Sequence, residues 1–263
     1  MGRWPFIVLG GFLALLALLP LAVTHDPIEQ DLAGALGEPS LQHWLGQDHL
    51  GRDVLARLAH GAPRSVGLAA ACIGFAALVG TLLGLCAAWW GGWGESLIMR
   101  GIDLLLAFPG ILLALLLVGL LGGGAVPLVI GLTLTQAPPF ARLSRAIVAG
   151  ELLSTHVEAA RLAGFGAGAI FRHHLLPPLL PLLLPQLTLG LGTTIMTIAG
   201  LGFLGLGLTP PTPEWGAMIA EALPYLTEAP WQTAAPCIGL FIVTLSATLI
   251  GRAALPKSRD GEA

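Results

Sequence analysis

Apolar runs of bilayer-crossing length recur along the whole chain and leave it few possible folds. The segments 5–23, 66–88, 98–121, 125–149, 179–206 and 232–255 each approach or exceed the roughly 20 residues that a helix needs to cross a hydrocarbon core. In lipid every backbone N–H and C=O must be satisfied inside the protein, which requires helices or a closed barrel. Leu- and Ala-rich runs of this length predict helices. The expected fold is an all-α, polytopic membrane helix bundle with about six transmembrane helices in a single domain, 1–263. Only 10% of the residues are charged, against about a quarter in a soluble domain. The net charge of −3 gives no basis for binding nucleic acid.

Several chemistries are set aside by what the sequence lacks. The single lysine is Lys257, and no G-x-x-x-x-G-K-[ST] loop is present, so the chain is not expected to hydrolyse ATP itself. Cys72, Cys86 and Cys237 lie in apolar runs without metal-ligand spacing and read as small core residues. No cofactor or resident metal is expected, and no catalytic residue. Residues 5–23 are long for the apolar region of a signal peptide and lack a clear cleavage site, so they read as a retained first span.

The polar intervals carry the local detail. In 25–64, Asp53 is placed to cap a short amphipathic helix carrying Val54, Leu55 and Leu58, closed by Gly61-Ala62-Pro63 ahead of the second span. His43, Asp48 and His49 offer metal-ligand types, but a satisfied structural role is the favoured reading. Gly80 and Gly84, four apart, predict close helix packing. Trp89, Trp90 and Trp93 mark a membrane interface. Arg100 and Asp103, three apart, are placed to pair. Gln136, Pro138 and Pro139 are expected to break the fourth span. Gln186, Thr193, Thr194 and Thr197 are costly toward lipid, so the fifth span faces the bundle interior or a pore.

The interval 150–176 is polar, helical in pattern and then Gly-rich. Thr155 and Glu158 stand at capping-box spacing. Gly164 is a natural stop, and a second helical run from Ala169 to Leu176 is expected to end at Pro177. A short stiff helix with a hinge at a membrane surface suits docking of a soluble partner.

These residues also resemble a family motif. Glu158, Ala159, Ala160, Gly164, Leu176 and Pro177 stand at the spacings of the cytoplasmic E-A-A…G…I-x-L-P signature of permeases in binding-protein-dependent ABC importers. His174 takes the Ile position. The stretch Leu45, Gly46, Asp48, Gly51, Arg52 and Asp53 resembles the L-G-x-D-x-x-G-R-D segment of the dipeptide, oligopeptide and nickel branch. The run FLGLG (203–207) and Glu214-Trp215-Gly216 within PEWG resemble that branch too. The tail departs from the acidic ending of close relatives. The resemblance implies a type I ABC importer permease fold and a coupling helix, containing Thr155, that meets ABC ATPase subunits. It also implies a second, homologous permease subunit in a heterodimer, a periplasmic substrate-binding protein, and peptides or nickel as cargo in a bacterial inner membrane.

Charge sets the expected orientation. With both termini in the cytoplasm, nine basic residues lie inside (Arg3, Arg100, Arg142, Arg145, Arg161, Arg172, Arg252, Lys257 and Arg259) and three outside (Arg52, Arg57 and Arg64), as the positive-inside rule requires. Residues 25–64 and 207–231 are then periplasmic and 150–176 cytoplasmic. Two other classes stay open at this point: a secondary transporter or channel working without an ATPase, and a membrane scaffold that transports nothing.

Overall fold

The computed structural model describes residues 18–254 together with Ile7, Gly11 and Ala14. The expected first span lies outside these residues except for its last turn, a 3-10 helix over Leu19–Ala22. Arg3, Lys257 and Arg259 also lie outside them. The described residues are overwhelmingly helical, with one isolated bridge between Gln47 and Asp53. The helices are α1 (Val54–Trp90), α2 (Gly92–Leu106), α3 (Gly110–Leu120), α4 (Ala125–Leu152), α5 (Thr155–Leu162), α6 (Ala167–Ile170), α7 (Leu176–Phe203), α8 (Trp215–Ala222) and α9 (Pro230–Ala254). A π-helical turn over Phe171–Leu175 joins α6 to α7.

Among the described residues three continuous helical stretches are long and apolar enough to cross a membrane, Val54–Trp90, Ala167–Phe203 and Pro230–Ala254; α4, the expected fourth span, is not one of them. The expected third span is two helices, α2 and α3, bent by 90°. Pro109 sits at the break and starts α3, and the residue before a proline is driven out of the helical region. The pair makes a fourth span if counted as one. The expected fourth span, by contrast, is unbroken: Pro138 and Pro139 lie inside α4. Both prolines are held by packing, with Pro138 buried between buried Ala137 and Phe140.

Packing explains that continuity. The pairing of α1 with α4 is the most extensive in the bundle. A Cβ on Gly80 or Gly84 would overlap the carbonyl of Ala137 or Ala141, so this expected close-packing pair sets the α1–α4 distance. The main core joins Val66, Ala69, Cys72 and Ile73 of α1 to Leu132 and Phe140 of α4, Ile195 and Ile198 of α7, and Val243 of α9. Of the three cysteines only Cys72 is buried; Cys86 is half-buried and Cys237 exposed, which corrects the reading of all three as core. Trp89, Trp90 and Trp93 are exposed around the α1–α2 junction.

The separate short helix expected before the second span does not exist. Asp53 does cap a helix, accepting from the Ala56 N–H at 2.6 Å, but that helix is α1 itself and runs through Pro63 for 37 residues. At about 1.5 Å per residue α1 is roughly 55 Å long, well beyond the hydrocarbon thickness. Its first turns therefore stand clear of the apolar layer, and tertiary contacts there outweigh the hydrogen bond that Pro63 forfeits.

The Arg100–Asp103 pair is also replaced. Asp103 accepts from Arg142 Nη2 at 2.6 Å and Glu95 from Arg145 Nε at 2.6 Å. Two ion pairs thus fasten α2 to α4, and a long-range partner wins over the neighbour on the same helix.

Candidate functional site

Two polar assemblies lie at opposite ends of α1. The first, at its N-terminal end, is a cap built from residues 25–53 and 207–231. Asp48 is its centre: Oδ1 accepts from the N–H of Leu50 at 2.8 Å and of Arg52 at 3.0 Å, while Oδ2 takes Arg52 Nε at 2.6 Å. Gly51 makes the turn between them in a left-handed conformation, φ +73°. Glu221 Oε2 accepts from Arg52 Nη2 at 2.7 Å and from Arg57 Nη2 at 2.9 Å. Arg57 Nε stands 3.6 Å from Asp48. Two guanidiniums and two carboxylates therefore balance in one network, with the arginine side chains only 3% and 2% exposed.

The second motif-bearing stretch of the cap closes the same end. Glu214 is fully buried and caps α8, taking the N–H groups of Gly216 at 2.8 Å and Ala217 at 2.9 Å. Ser65 of α1 donates to Glu214 at 3.3 Å and accepts from the Trp215 N–H at 3.1 Å. The Trp215 indole N–H reaches the Leu58 carbonyl at 3.0 Å. A Cβ on Gly202 would strike the Glu214 carboxylate, and one on Gly216 the Ala199 backbone. Glu214 and Gly216 of PEWG thus pack against Gly202 and Ala199, just ahead of the FLGLG run, whose Gly207 carries a Cβ position 3.4 Å from the Glu214 carboxylate, and Glu214 and Trp215 are tied to α1 through Ser65 and Leu58.

Burial pushes the Glu214 carboxyl above its ordinary value of 4.5, outweighing the two backbone N–H groups and Ser65, which pull it down. The folded cap then holds the proton to higher pH than the unfolded chain does. Its stability falls as pH rises from 4.5 through the raised value and stays lower above it. Melting curves of the purified protein at a series of pH values should show this fall, and the difference between wild type and Glu214→Gln should carry it. A difference that does not change with pH would contradict the assignment.

The metal-ligand types noted in the sequence are not brought together as a set. Asp48 is consumed by the arginines. His49 stacks on Tyr225 with ring centroids 5.2 Å apart. His43 turns instead to Asp53, Nδ1 to Oδ2 at 2.8 Å. Arg57, Glu221 and Ser65 were not singled out in the sequence as network members. Arg57 sits in the first turns of α1 and Glu221 near the end of α8, and nothing local signals a partner more than 150 positions away.

The second assembly is α5, beside the C-terminal end of α1. Val157 is buried with Val148, Ile170 and Leu175, and Leu85 and Ala88 of α1 pack against this cluster. The helix start differs from the expected box. Ser154, not Thr155, is the N-cap, and its hydroxyl donates back to the Glu151 carbonyl at 2.6 Å. The hydroxyl that would cap α5 is used to close α4. Glu158 lies in the first turn, where its charge favours the helix N-terminus.

The helix end is as expected. Gly164 has φ +83°, its N–H bonds the Arg161 carbonyl at 3.0 Å, and the Phe165 N–H bonds the Ala160 carbonyl at 3.0 Å. This is a Schellman closure. Thr155, Ala159, Leu162 and Phe165 are exposed while Ala160 is buried. The outer face of α5 is mixed: Leu162, 85% exposed, and Ala159 stand beside exposed Thr155, His156, Glu158 and Arg161, and Leu153 just ahead of the helix is 89% exposed.

Leu176 and Pro177 do not end a helix. They open α7, where proline in the first turn forfeits no hydrogen bond. His174, at the family's Ile position, is half-buried against His156 of α5, with ring centroids 5.4 Å apart.

The polar residues of α7 divide by face. Thr194 is fully buried and accepts from the Gln136 amide of α4 at 3.2 Å. Gln186, Thr193 and Thr197 follow at intervals of seven and four, on one face of the helix. Thr193 donates to the Gly190 carbonyl and Thr197 to the Thr193 carbonyl.

Residues 80–260 match the family described as binding-protein-dependent transport system inner membrane component. Over 245 residues the chain is 36% identical to the dipeptide transport system permease protein DppC of Alkalihalophilus pseudofirmus, covering 93% of this chain and 81% of that protein. It is 37% identical over 255 residues to the nickel transport system permease protein NikC of Escherichia coli K12, covering 95% and 92%. It is 42% identical over 213 residues to the glutathione transport system permease protein GsiD of Escherichia coli O6, covering 81% and 70%. Among solved structures, a chain of the inward-facing MetNI methionine ABC transporter superposes with a TM-score of 0.55 at 21% identity, covering 76% of this chain and 97% of that one. The likeness to MetNI establishes the bundle architecture. Together with the matched residues, it makes this chain a member of the binding-protein-dependent transport system inner membrane component family, a permease subunit of an ABC importer.

Proposed function

We propose that the chain forms half of a translocation path for short peptides or nickel, delivered to the cap by a periplasmic binding protein. The other half is a second, homologous but different permease subunit. The two ends of α1 carry this reading. A cap whose buried Arg52 and Arg57 are paired with Asp48 and Glu221 suits a face that a delivery protein docks on. A short helix whose exposed face sets Leu162 and Ala159 beside Thr155, Glu158 and Arg161 suits a groove on an ATPase. In this reading both chain termini are cytoplasmic, and Thr155, Glu158, Ala159, Ala160 and Gly164 receive the ATPase stroke. Leu176 and Pro177 pass it into α7. Gln186, Thr193 and Thr197 line the path, and Thr194 fixes the register of that face through Gln136.

Reconstitution decides between this and the other transport class. Liposomes containing the chain, its partner permease and the ATPase should take up labelled dipeptide or Ni²⁺ only with ATP and the binding protein present. Uptake by the chain alone on an ion gradient would overturn the reading in favour of a secondary transporter.

A further inference from the structure

One group of potential ligand atoms belongs to neither assembly's ion-pair network. His25, His43 and Asp53 each offer a donor atom, and these atoms lie within 4.8 Å of one another. The rings of His25 and His43 stand 5.0 Å apart, centroid to centroid. A cavity of about 290 Å³ opens beside them, lined in part by Thr24, His25, Gln42, Trp44 and Asp53. The three residues come from different parts of the cap: His25 from the segment after the first span, His43 from the mid-loop, and Asp53 from the start of α1.

We propose that His25, His43 and Asp53 form a binding site for one divalent first-row transition-metal ion at the wall of this cavity. Two imidazoles and one carboxylate are the donor set that suits Ni²⁺, Co²⁺, Zn²⁺ and Cu²⁺ and not Mg²⁺ or Ca²⁺. His43 Nδ1 and Asp53 Oδ2 are 2.8 Å apart. Two donors at right angles on one ion, with bonds of about 2.1 Å, stand about 3 Å apart. The ion takes the place of the proton between these two atoms; in the neutral imidazole that proton moves to Nε2, and the ring binds as a neutral ligand.

Asp53 is already oriented for the role. Its Oδ1 is held by the Ala56 N–H at 2.6 Å, which leaves Oδ2 free to turn toward the ion without loss of the helix cap. His25 is exposed and completes the set from the solvent side. The remaining coordination positions face the cavity, so the ion stays open to exchange with water or a ligand. The side of the membrane on which the site stands rests on the importer reading; the site itself does not.

The test is equilibrium binding on the assembled transporter, purified in detergent through a tag free of histidine and stripped with a chelator. Titration with NiCl₂ should load one ion per chain at this site, and MgCl₂ should not compete. His25→Ala should weaken Ni²⁺ binding at least tenfold, since loss of even an outer-shell partner commonly costs about 10–100-fold. Should His25→Ala fail to assemble, X-ray absorption on Ni²⁺-loaded wild type decides. Two imidazoles in the scattering pattern support the site, and a shell of oxygens alone overturns it. Equal Ni²⁺ affinity in wild type and an assembled His25→Ala variant overturns it as well. Neither result depends on uptake, so failure of the site is distinct from failure of the transport reading.

Discussion

Glu221→Ala is expected to destabilise the cap by about 3 kcal/mol, the lower end of the range for breaking a buried ion pair. One carboxylate oxygen serves both Arg52 and Arg57. Removing it leaves two buried guanidiniums facing a single carboxylate, Asp48, and an uncompensated positive charge in a site where both arginine side chains are at most 3% exposed. Glu221 itself is 27% exposed, so water relieves part of the loss and the lower end applies. For a chain of this size the melting temperature of the purified protein should fall by roughly 6–12 °C. Arg52→Ala combined with Glu221→Ala should cost less than the two single changes added together, because the pair is lost only once. An unchanged melting temperature in Glu221→Ala would mean that the network contributes nothing to holding 25–53 on 207–231.

Ala160→Pro is expected to abolish stimulated ATP hydrolysis by the assembled transporter while leaving the chain inserted. Proline in a helix interior costs about 3 kcal/mol through the lost hydrogen bond and the clash with the preceding turn. α5 has only eight residues, shorter than a helix that holds together in isolation, and its stability comes from burying Val157 and Ala160 and from the closure at Gly164. Ala160 takes part in both, since its carbonyl accepts from the Phe165 N–H. The variant should hydrolyse ATP at the rate seen without binding protein and should transport nothing. Full stimulation in Ala160→Pro would remove α5 from the coupling path.

Much of this was legible from residue patterns. Apolar runs predict helices because lipid tolerates no unpaired backbone, and α7 and α9 begin and end within a few residues of the expected limits. The Asp53 cap, the Gly164 stop and the Gly80–Gly84 contact were readable because each depends on backbone geometry that neighbouring residues reveal. Where the sequence misleads, a distant contact has overruled a local preference. Pro63 and Pro138 read as breaks but lie inside packed helices. Arg100 reads as the partner of Asp103, which instead takes Arg142. At α5 the competing contact is local: Ser154 stands at the N-cap position, and its hydroxyl closes α4 on the Glu151 carbonyl instead of capping α5.

By itself the sequence determined that the chain is helical, that it lives in a bilayer, and that it carries the two motif-bearing ends of an importer permease. The first two follow from composition and short-range spacing, which act within a few residues; the third is what the motifs' resemblance to the family implies. Only the tertiary structure decided which charges pair, that Glu221 neutralises Arg52 and Arg57, that Glu214 lies buried under Gly202, and that His25 meets His43 and Asp53. Side chains far apart in the chain come within a few ångströms only once the helices have packed, and the energy of a buried charge depends on that final neighbourhood.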